Sequence, residues 1–384
     1  MRSIAVVTGT RAEYGPLRPL MKAIQNDKDL TLVPIITGMH LLPDYGSTYR
    51  LVEKEFPHSM KIPMPLYGDS LKDMALYLAE GIKNFSEYLS KHPPDILVVT
   101  GDRSEQFAAA LAALYLNIPI AHINGGDVSS GMIDESIRHA ITKIAHIHLA
   151  YNDGNAERIK KMGEEPWRVQ KVGLLAVEAI LDVKVKAKKD LFTAYQLNPE
   201  ARTFLVIQHP ITTLKDRGYQ QYEALLSALD QLQEQTILVY PNCDAGSRHI
   251  ITLIKKYENR PYLHIFKNIP HDDYVGFMKY ADVLLGNSSS GIIEAPALGT
   301  AVINIGDRQQ DREKQYKSDY IISIPATEEK ILTKINYVLN NAAFHAKIRH
   351  SVNKHKVEKP SKNIIKILKE VPLDERLIRK QITY

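Results

Sequence analysis

Cysteine is nearly missing from these 384 residues. Cys243 stands alone, which excludes an internal disulfide framework and any metal cluster built on cysteine. No apolar run approaches the roughly 20 residues of a membrane-spanning helix, so no membrane partner is expected. One-sided charge is also scarce: 49 basic against 44 acidic residues leave a formal +5. The only dense basic stretch, Lys184 to Lys189, falls where a linker is expected, and no aromatic or groove-reading motif accompanies it. No nucleic-acid partner is expected on that ground. Short repeats and low-complexity segments are lacking, and the 20 tyrosines are too scattered to form a stacking platform. The opening run Met1 to Gly9 holds too short an apolar stretch for a signal peptide and passes straight into a polar loop. A cytoplasmic protein is expected.

What is present fits a soluble globular chain, 44% hydrophobic and 24% charged, long enough for two domains. Val-, Ile- and Leu-rich runs alternate with amphipathic helical segments. Strands are expected at Ile4–Thr8, Leu32–Thr37, Ile96–Thr100, Ile118–Ile123, Ile147–Ala150 and Val169–Val172. A second set is expected at Thr203–Ile207, Thr236–Tyr240, Tyr262–Phe266, Val283–Leu285, Ala301–Ile305 and Tyr320–Ile324. Near-continuous apolar strands separated by helices imply parallel sheets covered on both faces. Two sets imply an α/β protein with two Rossmann-like, doubly wound domains in tandem. The seam is expected near Leu174–Asn198, giving domains over residues 1–178 and 179–360. The tail, 361–384, reads as a helix that packs back on the first domain.

Ligands of such sheets bind beyond the carboxyl ends of the strands, and the polar motifs sit there repeatedly. The richest is Gly286-Asn287-Ser288-Ser289-Ser290-Gly291, which leaves an apolar run and opens a helical segment carrying Glu294 one turn in. Such a turn offers backbone N–H groups and hydroxyls to an anion, and the carboxylate suits sugar hydroxyls; a nucleotide diphosphate would be held this way. An ordinary N-cap would read the same. Arg11 follows the first strand in a glycine-flanked loop that is neither a dinucleotide fingerprint nor a P-loop. An arginine there can grip phosphate bidentately or simply cap its turn.

Asp102-Arg103 sets a carboxylate beside a guanidinium at another strand end, a binding pair or a structural ion pair. Asp134 with Arg138, and Glu135 with His139, have the spacing of one helix face, next to the Gly125-Gly126 turn. His146 and His148 alternate on a strand candidate without the further ligands that zinc needs. His209, between a buried strand and Pro210, suits an acid, a base, a phosphate ligand or a packed structural role.

Taken together these residues resemble the UDP-N-acetylglucosamine 2-epimerase family, in its hydrolysing branch. The resemblance covers most of the chain. It rests on Gly9 to Tyr14, Thr100 to Arg103, His122 to Asp127, Ile133 to Lys143, Gln208 to Pro210, Pro241 to Ser247 and Gly286 to Glu294. The run Ser136 to Lys143 looks more like the hydrolysing than the non-hydrolysing branch. The resemblance implies a GT-B arrangement of two Rossmann-like domains around a cleft, with the second binding the nucleotide. It implies a homo-oligomer, dimer or tetramer, and chemistry with no metal and no cofactor. The substrate would be UDP-N-acetylglucosamine and the products UDP and N-acetylmannosamine, on the way to sialic acid.

Carried over by motif, Asp102 and Asp134 would be the catalytic carboxylates, and His209 would act at the leaving diphosphate. Arg11, Arg103, Ser288, Ser289, Ser290, Gly291 and Glu294 would hold the nucleotide, with Glu294 at the ribose and Asn242 and Arg308 in support. One departure matters: many relatives carry a catalytic glutamate where this chain has Asn124, and an apparent extra residue follows in Asp127 to Gly131. Either Asp127 or Glu135 takes over that duty, or the sugar differs. The alternative sugar is the 2,4-diacetamido-2,4,6-trideoxy one of the legionaminic acid route, on UDP or GDP. The rivals are a non-hydrolysing epimerase, a GT-B glycosyltransferase and a sugar-nucleotide sensor without activity.

Overall fold

Each expected apolar run becomes a strand, and every strand pairing is parallel. The computed structural model describes residues 1–129, 133–211, 217–316, 318, 320–352 and 359–383. Of the segment that carries the apparent extra residue, Ser130 and Gly131 lie outside the described residues. The first sheet comprises β1 (Arg2–Thr8), β2 (Leu30–Thr37), β3 (Met60–Ile62), β4 (Ile96–Thr100), β5 (Ile120–Ile123), β6 (Ile147–Ala150) and β7 (Val169–Lys171), in spatial order 3-2-1-4-5-6-7. The second comprises β8 (Thr203–Ile207), β9 (Gln235–Val239), β10 (Leu263–Phe266), β11 (Val283–Gly286), β12 (Val302–Ile305) and β13 (Ile321–Ile324), in order 10-9-8-11-12-13. Edge strand β3 was not expected. It is three residues long, exposes Met60 and Lys61, and so carries no apolar signature.

Alternation along the strands feeds two cores per sheet. In β1, Ile4 and Val6 join Leu17, Leu20 and Met21 of the helix Arg11–Gln25. Ala5 and Val7 join Phe85, Leu89 and the buried alanines of the helix Ser104–Tyr115 on the other face. The small alanines let that helix lie close to the sheet and to the helix Leu71–Lys91. In β8, Phe204 and Val206 pack with Leu225 and Leu229, whereas Leu205 and Ile207 pack with Phe277 and Met278. Each such large apolar side chain, fully buried, contributes about 1.5–3 kcal/mol.

The chain divides into two compact units, Met1–Ala179 with Val357–Tyr384, and Ile180–Lys356. The returning helix Pro360–Glu370 places Ile364 and Leu368 in the core that holds Ile4 and Ile24. Arg2 Nη1 donates to the Leu368 and Val371 carbonyls at 2.8 and 2.7 Å, clamping the helix end beside β1. Each sheet has one point where strand order reverses, between β1 and β4 in the first unit and between β8 and β11 in the second. No helix among the described residues is long and apolar enough to cross a membrane.

Candidate active site

The loop after β1 is shaped by a capping box. Thr10 caps the helix Arg11–Gln25, and Glu13 returns its Oε2 to the backbone N–H of Gly9 and Thr10 at 2.8 and 3.2 Å. The same oxygen accepts from Gln106 Nε2 at 3.0 Å, and Gln106 Oε1 accepts the Thr100 N–H at 3.1 Å. Gln106 thus ties together the two loops that flank the reversal point; nothing in the sequence around it had marked it. Burial, and next the charge of Glu105, push the Glu13 carboxyl up to about 7. Arg11 is the half-buried first residue of the helix, and Arg103 stands just before the first residue of the helix Ser104–Tyr115.

Beyond β4 and β5 the organising residue is Arg138, 1% exposed. It pairs through Nη2 with Asp102, and Nη1 donates to Glu135 Oε2 at 3.2 Å, Ser129 Oγ at 3.0 Å and the Asp127 carbonyl at 3.3 Å. Glu135 also accepts the Ser129 N–H through Oε2, and its Oε1 lies 3.0 Å from His139 Nε2. Burial works to raise the Glu135 carboxyl, but the hydrogen bonds from His139 and Ser129 outweigh it and hold the group below the usual carboxylate range. Asp127 is buried, and its Oδ1 accepts the Tyr151 hydroxyl at 2.9 Å. Asp134 is half-buried in the first turn of the helix Ile133–Ile144.

The turn after β5 runs through the left-handed region at Asn124, φ 63°, and at Gly126, φ 71°. Asparagine is among the few side chains that take this conformation readily. Its buried Oδ1 has no hydrogen-bond partner among the described residues. Below the turn, burial pushes His122 down to about 3, so its ring is neutral and Nε2–H donates to the Gly101 carbonyl at 2.8 Å. His146 and His148 have structural partners. His146 Nδ1 accepts the Ile120 N–H at 3.1 Å, and His148 Nε2 lies 3.0 Å from Glu164 Oε2.

The reversal point of the second unit is built on His209 and Asn287. Asn287 Oδ1 accepts the His209 N–H at 2.7 Å, and its Nδ2 donates to the His209 carbonyl at 3.0 Å. The His209 ring accepts the Asn242 N–H at Nδ1, 3.2 Å away, so the neutral ring carries its proton on Nε2. Asn242 Nδ2 in turn donates to Asp244. Gly286, φ 130°, lets β11 end against β8: a Cβ there would sit 2.0 Å from the Ile207 carbonyl oxygen.

Ser288 caps the next helix, accepting the Ser290 N–H at 3.3 Å, and Tyr274 donates its hydroxyl to Ser290 Oγ at 2.8 Å. That helix spans only Ser289–Ile293, shorter than expected. Pro296 has no N–H to give the Ile292 carbonyl, so the chain breaks at Glu294 and restarts as Ala295–Leu298. Glu294 therefore sits at a joint and not within a continuous helix. Arg308 Nη1 and Gln309 Nε2 both donate to the Asn287 carbonyl, at 3.1 and 2.9 Å, and Arg312 holds Gln309 in place through Oε1 at 2.6 Å. Asn287, Gln309 and Arg312 were not singled out as site residues, although the loop that carries Asn287 and the neighbouring Arg308 were.

In the first unit the structure thus joins Asp102, Asp127 and Glu135 through Arg138, with Arg11 and Arg103 on the reversal-point loops. In the second it joins His209 and Asn242, and Arg308, from the loop after β12, reaches the carbonyl of Asn287, which leads into Ser288–Gly291 and Glu294. The first set can hold and move protons; the second can bind an anion and a polar ring.

The chain is similar to known proteins. A family model described as UDP-N-acetylglucosamine 2-epimerase matches residues 22–369. A UDP-N,N'-diacetylbacillosamine 2-epimerase (hydrolyzing) from Legionella pneumophila is 34% identical over 385 residues, covering 100% of both chains. A GDP/UDP-N,N'-diacetylbacillosamine 2-epimerase (hydrolyzing) from Campylobacter jejuni is 37% identical over 314 residues, 81% of this chain and 82% of that one. Among solved structures, UDP-GlcNAc 2-epimerase from Neisseria meningitidis bound to UDP-GlcNAc superposes with a TM-score of 0.80 at 19% identity, covering 95% of this chain and 99% of that one. The fold is the GT-B-like one of these enzymes.

Proposed function

This chain belongs to the UDP-N-acetylglucosamine 2-epimerase family, an epimerase family acting on nucleotide sugars, and from that membership we propose that it is a hydrolysing 2-epimerase of UDP-N,N'-diacetylbacillosamine. That sugar is the 2,4-diacetamido-2,4,6-trideoxy one. The observation that carries the reading is the similarity to the Legionella pneumophila enzyme along the whole of both chains.

In this reading a base takes the proton from carbon 2 as the bond from carbon 1 to the diphosphate oxygen breaks, giving a glycal and UDP. Water then adds at carbon 1 and a proton arrives at the opposite face of carbon 2, so the free sugar is released inverted there. Asp102 and Asp134 carry the protons, with Arg138 fixing the carboxylate of Asp102. His209, protonated at Nε2, supports the leaving diphosphate. Arg11, Arg103, Ser288, Ser289, Ser290 and Gly291 bind the nucleotide, Glu294 its ribose, and Asn242 and Arg308 assist. The second unit, Ile180–Lys356, acts as the nucleotide-binding domain, and the protein works as a dimer or tetramer.

The second reading takes UDP-N-acetylglucosamine as substrate, which the description of the matching family favours. The test is an NMR-monitored incubation of each sugar nucleotide in deuterated water. Release of UDP and a free 2-epimer carrying deuterium at carbon 2 establishes the elimination route. Consumption of the diacetamido sugar alone supports the first reading; consumption of UDP-N-acetylglucosamine alone moves the substrate to the second. Silence with both overturns the enzyme reading.

A further inference from the structure

Glu105 is completely buried, yet the mechanism above gives it nothing to do. It lies in the first turn of the helix Ser104–Tyr115, two residues beyond Arg103. Its Oε2 is 3.3 Å from Arg103 Nε, and its Oε1 accepts the Tyr77 hydroxyl at 2.8 Å. Tyr77 is itself 1% exposed. The walls of the pocket are two glycines. A Cβ on Gly9, in the loop after β1, would come within 2.8 Å of Glu105 Cβ and Cγ, and one on Gly38, after β2, within 2.4 Å of its Cγ. Three loops at the strand ends thus leave room for one carboxylate in one orientation.

A buried carboxylate is costly unless it is paired and hydrogen-bonded, so a fold keeps one where its charge has a use. Capping does not supply that use: the start of this helix has no side-chain cap, and the Thr100 N–H goes to Gln106. The neighbouring carboxyl, Glu13, is pushed up to about 7 by burial and by Glu105.

We propose that Glu105, pinned by Tyr77, is a positioning residue: it sets the plane of the Arg103 guanidinium so that Arg103 meets the diphosphate of the nucleotide sugar. This rests on the reading of Arg103 as a nucleotide-binding residue. A planar fork recognises phosphate only in the right orientation, and the ion pair at Nε, which is an attraction of charges and not an aligned hydrogen bond, draws the group towards one side of its pocket.

The experiment is a double-mutant cycle on the full chain with Glu105→Gln and Arg103→Ala. UDP affinity is read by calorimetry and KM and kcat with the diacetamido sugar nucleotide, alongside wild-type turnover. Glu105→Gln is expected to weaken UDP binding and raise KM by about tenfold, about 1.4 kcal/mol, with a smaller change in kcat. In the Arg103→Ala background the same change should do less than twofold. Tyr77→Phe, which keeps the carboxylate but unpins it, should weaken UDP binding about threefold, and it carries the test if Glu105→Gln fails to fold. Equal effects of Glu105→Gln in both backgrounds, or unchanged UDP affinity in a folded variant, overturn the inference while wild-type turnover leaves the proposed function standing. A wild-type chain that binds no UDP overturns both.

Discussion

Asn287 closes on the backbone of His209 from both sides, accepting its N–H at 2.7 Å and donating to its carbonyl at 3.0 Å. The side-chain amide imitates one more rung of the ladder between β8 and β11 after both strands have ended. The backbone carbonyl of the same Asn287 receives Arg308 and Gln309. One fully buried residue therefore orients a histidine and an arginine from two different loops.

Asn287→Ala removes both bonds and leaves a buried N–H and carbonyl unsatisfied. The expected loss is about 1–3 kcal/mol of stability, read from urea unfolding, with kcat/KM down at least about tenfold. A variant with wild-type unfolding and wild-type kinetics would show that the clasp orients nothing.

Asp102→Asn and Asp134→Asn retain shape but not basicity. Each should lower kcat by about 10²–10⁴ and leave UDP affinity within about threefold. Turnover near wild type in both would strip these carboxylates of their assigned roles.

Arg138 neutralises Asp102 and Glu135 from a buried position. Arg138→Ala leaves both carboxylates without that cation, and should cost about 3–5 kcal/mol. Arg138→Lys restores the charge but not the fork, so thermal stability should recover more than turnover does. Equal recovery of both would argue against an orienting role.

Glu13 carries a pH signature. Its carboxyl is raised by burial from 4.5 in the unfolded chain to about 7, so the native state holds the proton more tightly. That contribution is complete below 4.5 and is lost as pH rises through 7. In Glu13→Gln it is absent. The urea midpoint of the wild type, relative to the variant, should therefore fall between pH 4.5 and 7; a constant difference would contradict the raised value.

Gly286→Ala forces a Cβ to within 2.0 Å of the Ile207 carbonyl oxygen at φ 130°. Backbone must shift at the paired ends of two central strands, so a loss of about 3 kcal/mol or more is expected, measured by thermal unfolding. A midpoint within a few degrees of wild type would mean that the β8–β11 pairing relaxes easily.

The strands were readable because both faces of each sheet are covered, which makes a central strand a run such as Ile96 to Thr100. The same logic hid β3, where Met60 and Lys61 face outward at an edge. The loops at strand ends were readable through their glycines and polar residues. What they join was not. Arg138 with Asp102, or Asn287 with His209, meet only because β4 lies beside β5 and β8 beside β11, and that order is a property of the whole sheet. The i, i+4 spacing did find Glu135 with His139. It could not show that Arg138 reaches across to Asp102, since local spacing holds no information about the neighbouring strand. The break at Glu294 was legible in principle, from Pro296 two residues on.

The helix Pro360–Glu370 belongs to the core of the unit that holds β1, with the whole of Ile180–Lys356 between them in the chain. Synthesis on the ribosome runs in the other order. The seven strands of the first unit emerge early, and the unit that follows can complete itself while the first still lacks Ile364 and Leu368. The early half must wait with an apolar groove exposed beside the helix Arg11–Gln25, a state in which nascent chains are open to chaperones. When the helix arrives, Arg2 gains the carbonyls of Leu368 and Val371, partners that are made only after the whole of the second unit.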